Sequence, residues 1–250
     1  MAKALQNKVA LVTGGSRGIG RAICERLARD GATVVVNYVH NKAKAEETVA
    51  NIRNAGGHAV PVQADVAKLP DIRRLFEQTV AEYGRIDIFV NNAGIFTSFR
   101  PIIECTEEDF DRTFSVNARG AFFCLQQAAR HITEGGRIVC ISSSGTRMAV
   151  PTASCYMGSK SALEQFVRIL AQEIAPRGVT VNTVSPGFTE TEMLTSAGDV
   201  LTQQGIALSP FKRLGHPDEI AGAVSYLVSA EGAWITGQNI QACGGIVMPS

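Results

Sequence analysis

The feature that most constrains this chain lies near its start, where KVALVT (8–13) runs directly into TGGSRGIG (13–20) and on into GRAICERLARD. An apolar run of strand length, a glycine cluster and a helical pattern, in that order, leave few folds open. Gly14, Gly18 and Gly20 permit a tight turn, close backbone approach to a phosphate and tight packing of helix on strand. The first helical amides then face the ligand's negative charge. A glycine-rich turn without a ligand is the plain alternative, and the spacing, G-x-x-x-G-x-G, differs from the commoner G-x-G-x-x-G fingerprint. Strand before and helix after favour the phosphate.

The same alternation continues along the chain. Candidate strands are TVVVN (33–37), HAVPVQ (58–63), DIFVNN (87–92), RIVCIS (137–142), VTVNTVS (179–185) and NIQA (239–242). Between them lie the helical patterns AKAEETVANIRNAG, DIRRLFEQTVAEYG, a long segment over 107–131, SKSALEQFVRILAQEI and DEIAGAVSYLVS. Gly31, Gly56, Gly84 and Gly178 fall where left-handed helix ends are expected. Continuous β-branched strands alternating with helices predict a parallel seven-stranded sheet flanked by helices on both faces. No repeat or linker interrupts the pattern, so residues 1–250 are read as a single doubly wound α/β domain of Rossmann type. In such sheets ligands bind beyond the carboxyl ends of the strands, at the switch point of the strand order.

Composition narrows the partners. With 24 basic and 23 acidic residues, a net charge of +1 and 45% apolar residues, nothing favours nucleic acid or an anionic membrane. The N-terminus lacks the pattern of a secretory signal, and no apolar run approaches bilayer length, so the expected location is cytoplasmic. The six cysteines form no C-x-x-C pair and the four histidines are scattered, so no metal site is expected.

Three further motifs follow strands. NNAG (91–94) follows the fourth, RIVCISSSG ends the fifth, and SPGFTET (185–191) follows the sixth. Tyr156 and Lys160 lie four residues apart, one helical turn, and therefore share a face. That pair alone is common in helices that catalyse nothing.

Taken in order and spacing, TGGSRGIG, NNAG, Tyr156-x-x-x-Lys160 and SPG resemble the short-chain dehydrogenase/reductase family, from Lys8 to Gly245. The resemblance implies a catalytic set of Asn117, Ser143, Tyr156 and Lys160. Ser143 precedes Tyr156 by the family's spacing of 13 residues, which selects it over Ser142 and Ser144; those two are read as turn formers. Tyr156 would donate a proton, Ser143 would hold the carbonyl oxygen where charge develops, and Lys160 would bind the nicotinamide ribose. Lys160, with an oxidised nicotinamide, would bring the phenol down from its usual pKa of about 10. Asn117, in FSVNARG, would kink its helix and hold a water that relays protons to Lys160.

For the cofactor, the resemblance implies contacts from Gly14, Ser16, Arg17, Gly18, Ile19 and Gly20, from Asn37 and Tyr38 at the second strand's end, and from Asp65 and Val66 after the third. Asn92, Ala93 and Gly94, then Pro186, Gly187, Thr189 and Thr191, complete the set with Tyr156 and Lys160. For Asp65 a cap on the helix that follows is the plain alternative, with cofactor contact preferred, and Asn91 is expected to stabilise the central strand. The second strand ends VVVNYVHN without the carboxylate that usually binds an NAD ribose. With Arg17 in the glycine turn, this favours NADP(H) over NAD(H); His40 and Asn41 are possible further donors.

The expected partner is a small-molecule carbonyl substrate. The segment 190–216 is read as a substrate lid, with Met193, Leu194, Leu201, Ile206, Leu208 and Phe211 able to line a pocket or to pack on the domain. Phe96, Phe99, Met148 and Val150 are further lining candidates. The resemblance is nearest to β-ketoacyl carrier-protein reductases and fungal naphthol reductases, and implies a homotetramer. A sugar or steroid alcohol dehydrogenase and a cofactor-binding regulatory protein on the same fold are the rival readings.

Overall fold

The computed structural model describes residues 4–196 and 198–247. Ala197, within the expected lid, and both ends of the expected domain lie outside the described residues. Seven strands form one sheet: β1 Val9–Val12, β2 Thr33–Tyr38, β3 His58–Gln63, β4 Ile86–Asn91, β5 Ile132–Ile141, β6 Thr180–Pro186 and β7 Asn239–Ala242. Their order is β3-β2-β1-β4-β5-β6-β7, with every neighbouring pair parallel. The order reverses between β1 and β4, which places the crevice for ligands there.

Side-chain alternation builds the two faces. Ala10, Val12, Val34, Val36, Ile88 and Val90 point to one side, where they meet α1 (Gly18–Arg29) and α9 (Pro217–Val228). Leu11, Val35, Phe89, Ile138 and Cys140 point to the other, against α3 (Leu69–Tyr83), α5 (Ala121–His131) and α6 (Ser154–Ile174). Between β2 and β3 runs α2 (Lys42–Asn54). The four glycines expected at helix ends all have positive φ.

Two boundaries differ from the sequence reading. The segment 107–131 is not one regular helix. It runs as α4 (Glu107–Phe114), a π-helical turn over Ser115–Gly120, and α5. The wider turn falls on Asn117, where the resemblance implies a kink, and its side chain bonds outside its own helix. Second, β5 starts at Ile132, because a register shift opposite Ile86 and Ile88 absorbs the glycine pair that reads as a loop. The helix of Tyr156 and Lys160 agrees with the expectation: α6 starts at Ser154, so Tyr156 lies in its first turn. The lid contains α7 (Glu192–Thr195) and α8 (Asp199–Leu208).

At the sheet's opposite edge, Asp87 ties the strand beginnings together. Its carboxylate accepts from the Val9 amide at 2.9 Å, Lys8 Nζ at 3.2 Å and Arg85 Nε at 2.8 Å. Burial pushes the Asp87 carboxyl up, but the donors from Arg85, Val9 and Lys8 outweigh it and leave the group below its ordinary value. A depressed carboxyl stabilises the fold above the unfolded pKa, about 3.9, and loses that contribution as pH falls through the folded value. Asp87→Asn should cost about 1.5–3 kcal/mol at pH 7 by urea denaturation. The deficit should shrink as pH falls below about 4.

Candidate active site

Parallel strands put the turns after β1, β4, β5 and β6 on one edge of the sheet. At its centre Thr13, buried just after β1, joins two of them. Its hydroxyl accepts the amides of Asn92 at 3.0 Å and Ala93 at 3.1 Å and donates to Val90 O at 3.4 Å. The Asn92 side chain answers by donating to Thr13 O at 2.9 Å and Gly14 O at 3.0 Å. The side chain tying β4 to the glycine turn is thus Asn92, next to the residue expected to stabilise this strand.

The turn itself fits a phosphate-bearing group. The N-cap of α1 is Arg17 in extended geometry with no side-chain cap, so the first helical amides keep their donors for a ligand. A Cβ on Gly20 would lie 2.2 Å from Gly14 O and 2.4 Å from Asn92 Nδ2, so only glycine closes this turn. Ser16 and Ile19 pack the turn to the domain: Ser16 O accepts from Thr48 Oγ1 at 3.3 Å, and Ile19 lies against the core. Thr191 stands over Gly18, where an added Cβ would lie 3.3 Å from Thr191 Cγ2.

Other expected contacts prove to have structural partners of their own. Asn37 is wholly buried: its Oδ1 accepts the Gly14 amide at 3.2 Å and its Nδ2 donates to Ala64 O at 3.0 Å. Its side chain therefore braces the glycine turn instead of facing a ligand. Tyr38 is also buried, as is Val66. Asp65 Oδ1 accepts the Ala67 amide at 3.0 Å, a local turn, while the N-cap of α3 is Lys68. Asn41 caps α2 by accepting the Lys44 amide at 3.0 Å. Thr191 caps α7 through the Leu194 amide at 3.3 Å, and Thr189 Oγ1 donates to Gly187 O at 3.0 Å. The Gly187 amide, just after Pro186, bonds Ala242 O at 3.1 Å.

A second cation stands beside the turn. Arg17 pairs with Glu192 at 3.1 Å, and Lys44 of α2 reaches the same carboxylate. Arg17 and Lys44 thus converge on one anionic group beside the glycine turn. In the sequence Lys44 is one of several charges on an exposed helical face, and only the packing of α2 beside the turn singles it out.

At the carboxyl ends of β4 and β5 the four candidate catalytic residues cluster. Lys160 is 3% exposed; its Nζ donates to Ile141 O at 2.8 Å and lies 5.8 Å from the centroid of the Tyr156 ring. Gly94 leaves room beside the ammonium, since an added Cβ would approach Nζ to 3.1 Å. Ser143 is half-buried, and its Oγ accepts the Gly145 amide at 3.2 Å. Asn117 is almost fully enclosed. Its Oδ1 accepts the Ile95 amide at 2.8 Å, and its Nδ2 donates to Ile95 O at 2.8 Å and Ser159 Oγ at 3.1 Å. The amide thereby fastens the loop after β4 to the π-helical turn and to α6.

Burial pushes the Tyr156 phenol up to about 12 and the Lys160 ammonium down to about 8. The expected lowering of the phenol needs the oxidised nicotinamide as well as Lys160, so this direction belongs to the protein's own groups alone. The Lys160 charge sits over the ring and bonds a carbonyl, so it does not offset the desolvation of the hydroxyl.

An aromatic wall borders Tyr156. Phe96 meets its ring edge-on at 5.2 Å between centroids and packs on Phe99 at 4.3 Å. Of the lid candidates Leu194 is buried, whereas Met193, Leu208 and Phe211 are exposed. Behind the turn after β6 lies a cavity of about 380 Å³ lined by Phe188, Phe211, Arg213 and Cys243 among others. None of the four candidate catalytic residues lines it.

A doubly wound parallel sheet with a glycine turn at its switch point and a Tyr/Lys helix beside it has the design of a dinucleotide-dependent oxidoreductase. A family model described as enoyl-(acyl carrier protein) reductase matches residues 14–247. An uncharacterized oxidoreductase of Methylorubrum extorquens is 46% identical, over 97% of this chain and 98% of its own. Tetrahydroxynaphthalene reductase of Pyricularia oryzae is 40% identical, covering 98% and 91%. The crystal structure of a short chain dehydrogenase from Burkholderia cenocepacia, in complex with NADP, superposes with a TM-score of 0.93. It has 39% identity over 97% of this chain and 99% of that one. The chain belongs to the short-chain dehydrogenase/reductase family of oxidoreductases. No helix among the described residues is long and apolar enough to cross a membrane.

Proposed function

We propose that this protein is an NADPH-dependent carbonyl reductase acting on small apolar or aromatic ketones and aldehydes. The observation that carries the reading is the buried Lys160 beside Tyr156, at the mouth of β4 and β5 and on the same edge as the glycine turn. When bound there, NADPH supplies a hydride to the carbonyl carbon. Tyr156 donates its phenolic proton to the carbonyl oxygen, and the Ser143 hydroxyl donates a hydrogen bond to the same oxygen as charge develops. A phenol near 12 is fully protonated at neutral pH, the state from which reduction starts. Lys160 would hold the cofactor's ribose beside the tyrosine. Asn117 fixes the loop that borders both groups, and its place beside Ser159 fits a proton path toward Lys160.

NADPH is favoured because Arg17 and Lys44 already share an anionic partner, Glu192, and no carboxylate ends β2 to repel a 2′-phosphate. The NADP bound in the Burkholderia structure supports the same choice. The aromatic pair Phe96 and Phe99 beside Tyr156, together with the name of the Pyricularia relative, supports an aromatic substrate.

The test follows NADPH absorbance against β-keto esters, aryl ketones, quinones, sugars and steroids. Turnover of aryl ketones or quinones is expected, and NADPH binding without turnover of any carbonyl would overturn the reading. Tyr156→Phe should lower kcat by at least about 10³-fold while leaving NADPH affinity within a few-fold, since it removes the proton donor alone. Replacing both Arg17 and Lys44 by Ala should weaken NADPH by about 10–100-fold and NADH far less, through the loss of charge-assisted bonds. Equal losses for both cofactors would sink the phosphate assignment.

The same reading extends to a homotetramer. Phe110, Phe122 and Ile169 stay exposed on α4, α5 and α6, and Tyr226 and Trp234 stay exposed around α9. Light scattering should give four times the chain mass.

A further inference from the structure

Glu164 is a buried carboxylate that the chemistry above leaves unused. It stands one turn beyond Lys160 on α6, so Tyr156, Lys160 and Glu164 form one stripe along the helix. Its Oε1 accepts from Ser142 Oγ at 2.7 Å and from Thr146 Oγ1 at 2.7 Å. Those two hydroxyls bracket Ser143. The Thr146 hydroxyl also lies 2.8 Å from Ser143 O, so one proton is shared between the serine's carbonyl and the carboxylate. The Thr146 amide donates to Ser143 O at 3.2 Å as well. One turn earlier, Lys160 holds Ile141 O. The helix that carries the tyrosine therefore grips the Ser143 turn at residues 141, 142 and 146.

We propose that Glu164 is a positioning residue for the reaction, holding Ser142 and Thr146 on one carboxylate oxygen so that the Ser143 hydroxyl keeps a fixed place relative to Tyr156. The inference rests on the reductase reading above. Its physical basis is the convergence of two donors on one buried acceptor: β5 and α6 meet here as separate elements, and packing alone does not fix a turn to the tolerance proton transfer needs. A glutamine at this site keeps a carbonyl oxygen with two lone pairs, whereas a leucine keeps the volume and no acceptor. Beside Glu164, with Arg168, Thr183 and Asn239, lies a cavity of about 540 Å³, which gives either side chain room to settle.

The experiment compares wild type, Glu164→Gln, Glu164→Leu and the double variant Ser142→Ala/Thr146→Val, using the carbonyl compound that wild type reduces fastest. NADPH binding is read separately by nicotinamide fluorescence, and folding by thermal melting. Glu164→Leu should lower kcat by about 30–100-fold with KM and NADPH affinity within about 3-fold of wild type, the scale expected for a misplaced catalytic group. Glu164→Gln should recover to within about 5-fold of wild type, because it restores the acceptor. The double variant should reproduce the loss, and adding Glu164→Leu to it should lower kcat by no more than about 2-fold further, as for residues acting as one unit. A Glu164→Leu protein that keeps wild-type kcat overturns the proposal, and so does a glutamine variant as slow as the leucine one. Loss of kcat only in step with melting temperature and NADPH affinity also overturns it. If Glu164→Leu fails to fold, Thr146→Val alone decides: a kcat loss at unchanged melting temperature supports the role, and unchanged kcat ends it. Absence of turnover in wild type overturns the reductase reading and the role of Glu164 with it; wild-type turnover with Glu164→Leu unaffected overturns the positioning role alone.

Discussion

The bonds around Thr13 hold the crevice in place. One hydroxyl donates to Val90 O and accepts two amides, those of Asn92 and Ala93, which exhausts its bonding capacity. Through it the glycine turn after β1 and the loop after β4 become one rigid body across the point where the strand order reverses. The Asn92 amide adds two donors to the same backbone, and Asn37 adds a brace from β2. Each polar group buried in this knot has a partner, which is the condition under which such a network stabilises rather than penalises a core.

From that knot the candidate site extends sideways along the sheet edge. Asn117 fixes the loop after β4 by bonding both backbone groups of Ile95. The neighbouring turn, after β5, is held by α6, through Lys160 and Glu164. Parallel strands explain why this works: every carboxyl end lies on one side, so short loops from different parts of the chain meet without long excursions. The desolvation that drives the ammonium down has the same origin, because the loops and α6 close over Lys160, while Tyr156 stays half-buried beside it.

Much of this was legible in the residues. The apolar strands, the glycine turn and the helix-ending glycines are local signals, and all seven strands lie where the β-branched runs fall. Less legible was anything set by contact across the chain. Asn37 reads as a ligand donor because it ends a strand, yet the fold turns it inward under Gly14. The resemblance implies a kink at Asn117, where the π-helical turn falls, but nothing local announces that the side chain will bond Ile95 some 22 residues away. Lys44 and Glu164 carry no motif; each is ordinary on its own helix and acquires a partner only when that helix packs.

The sequence by itself determined the alternating strands and helices and the glycine turn, while its resemblance to the family supplied the candidate groups for holding a dinucleotide and moving a proton. The strands, helices and turn follow from periodicity and from backbone freedom at glycine, both short-range properties. Only the tertiary structure decided which polar atoms are already bonded and which stay available. It also decided the direction of the Tyr156 and Lys160 shifts and the grip of Glu164 on the Ser143 turn. These depend on burial and on distances between residues far apart in the chain, quantities that exist only once the sheet has brought its carboxyl ends together.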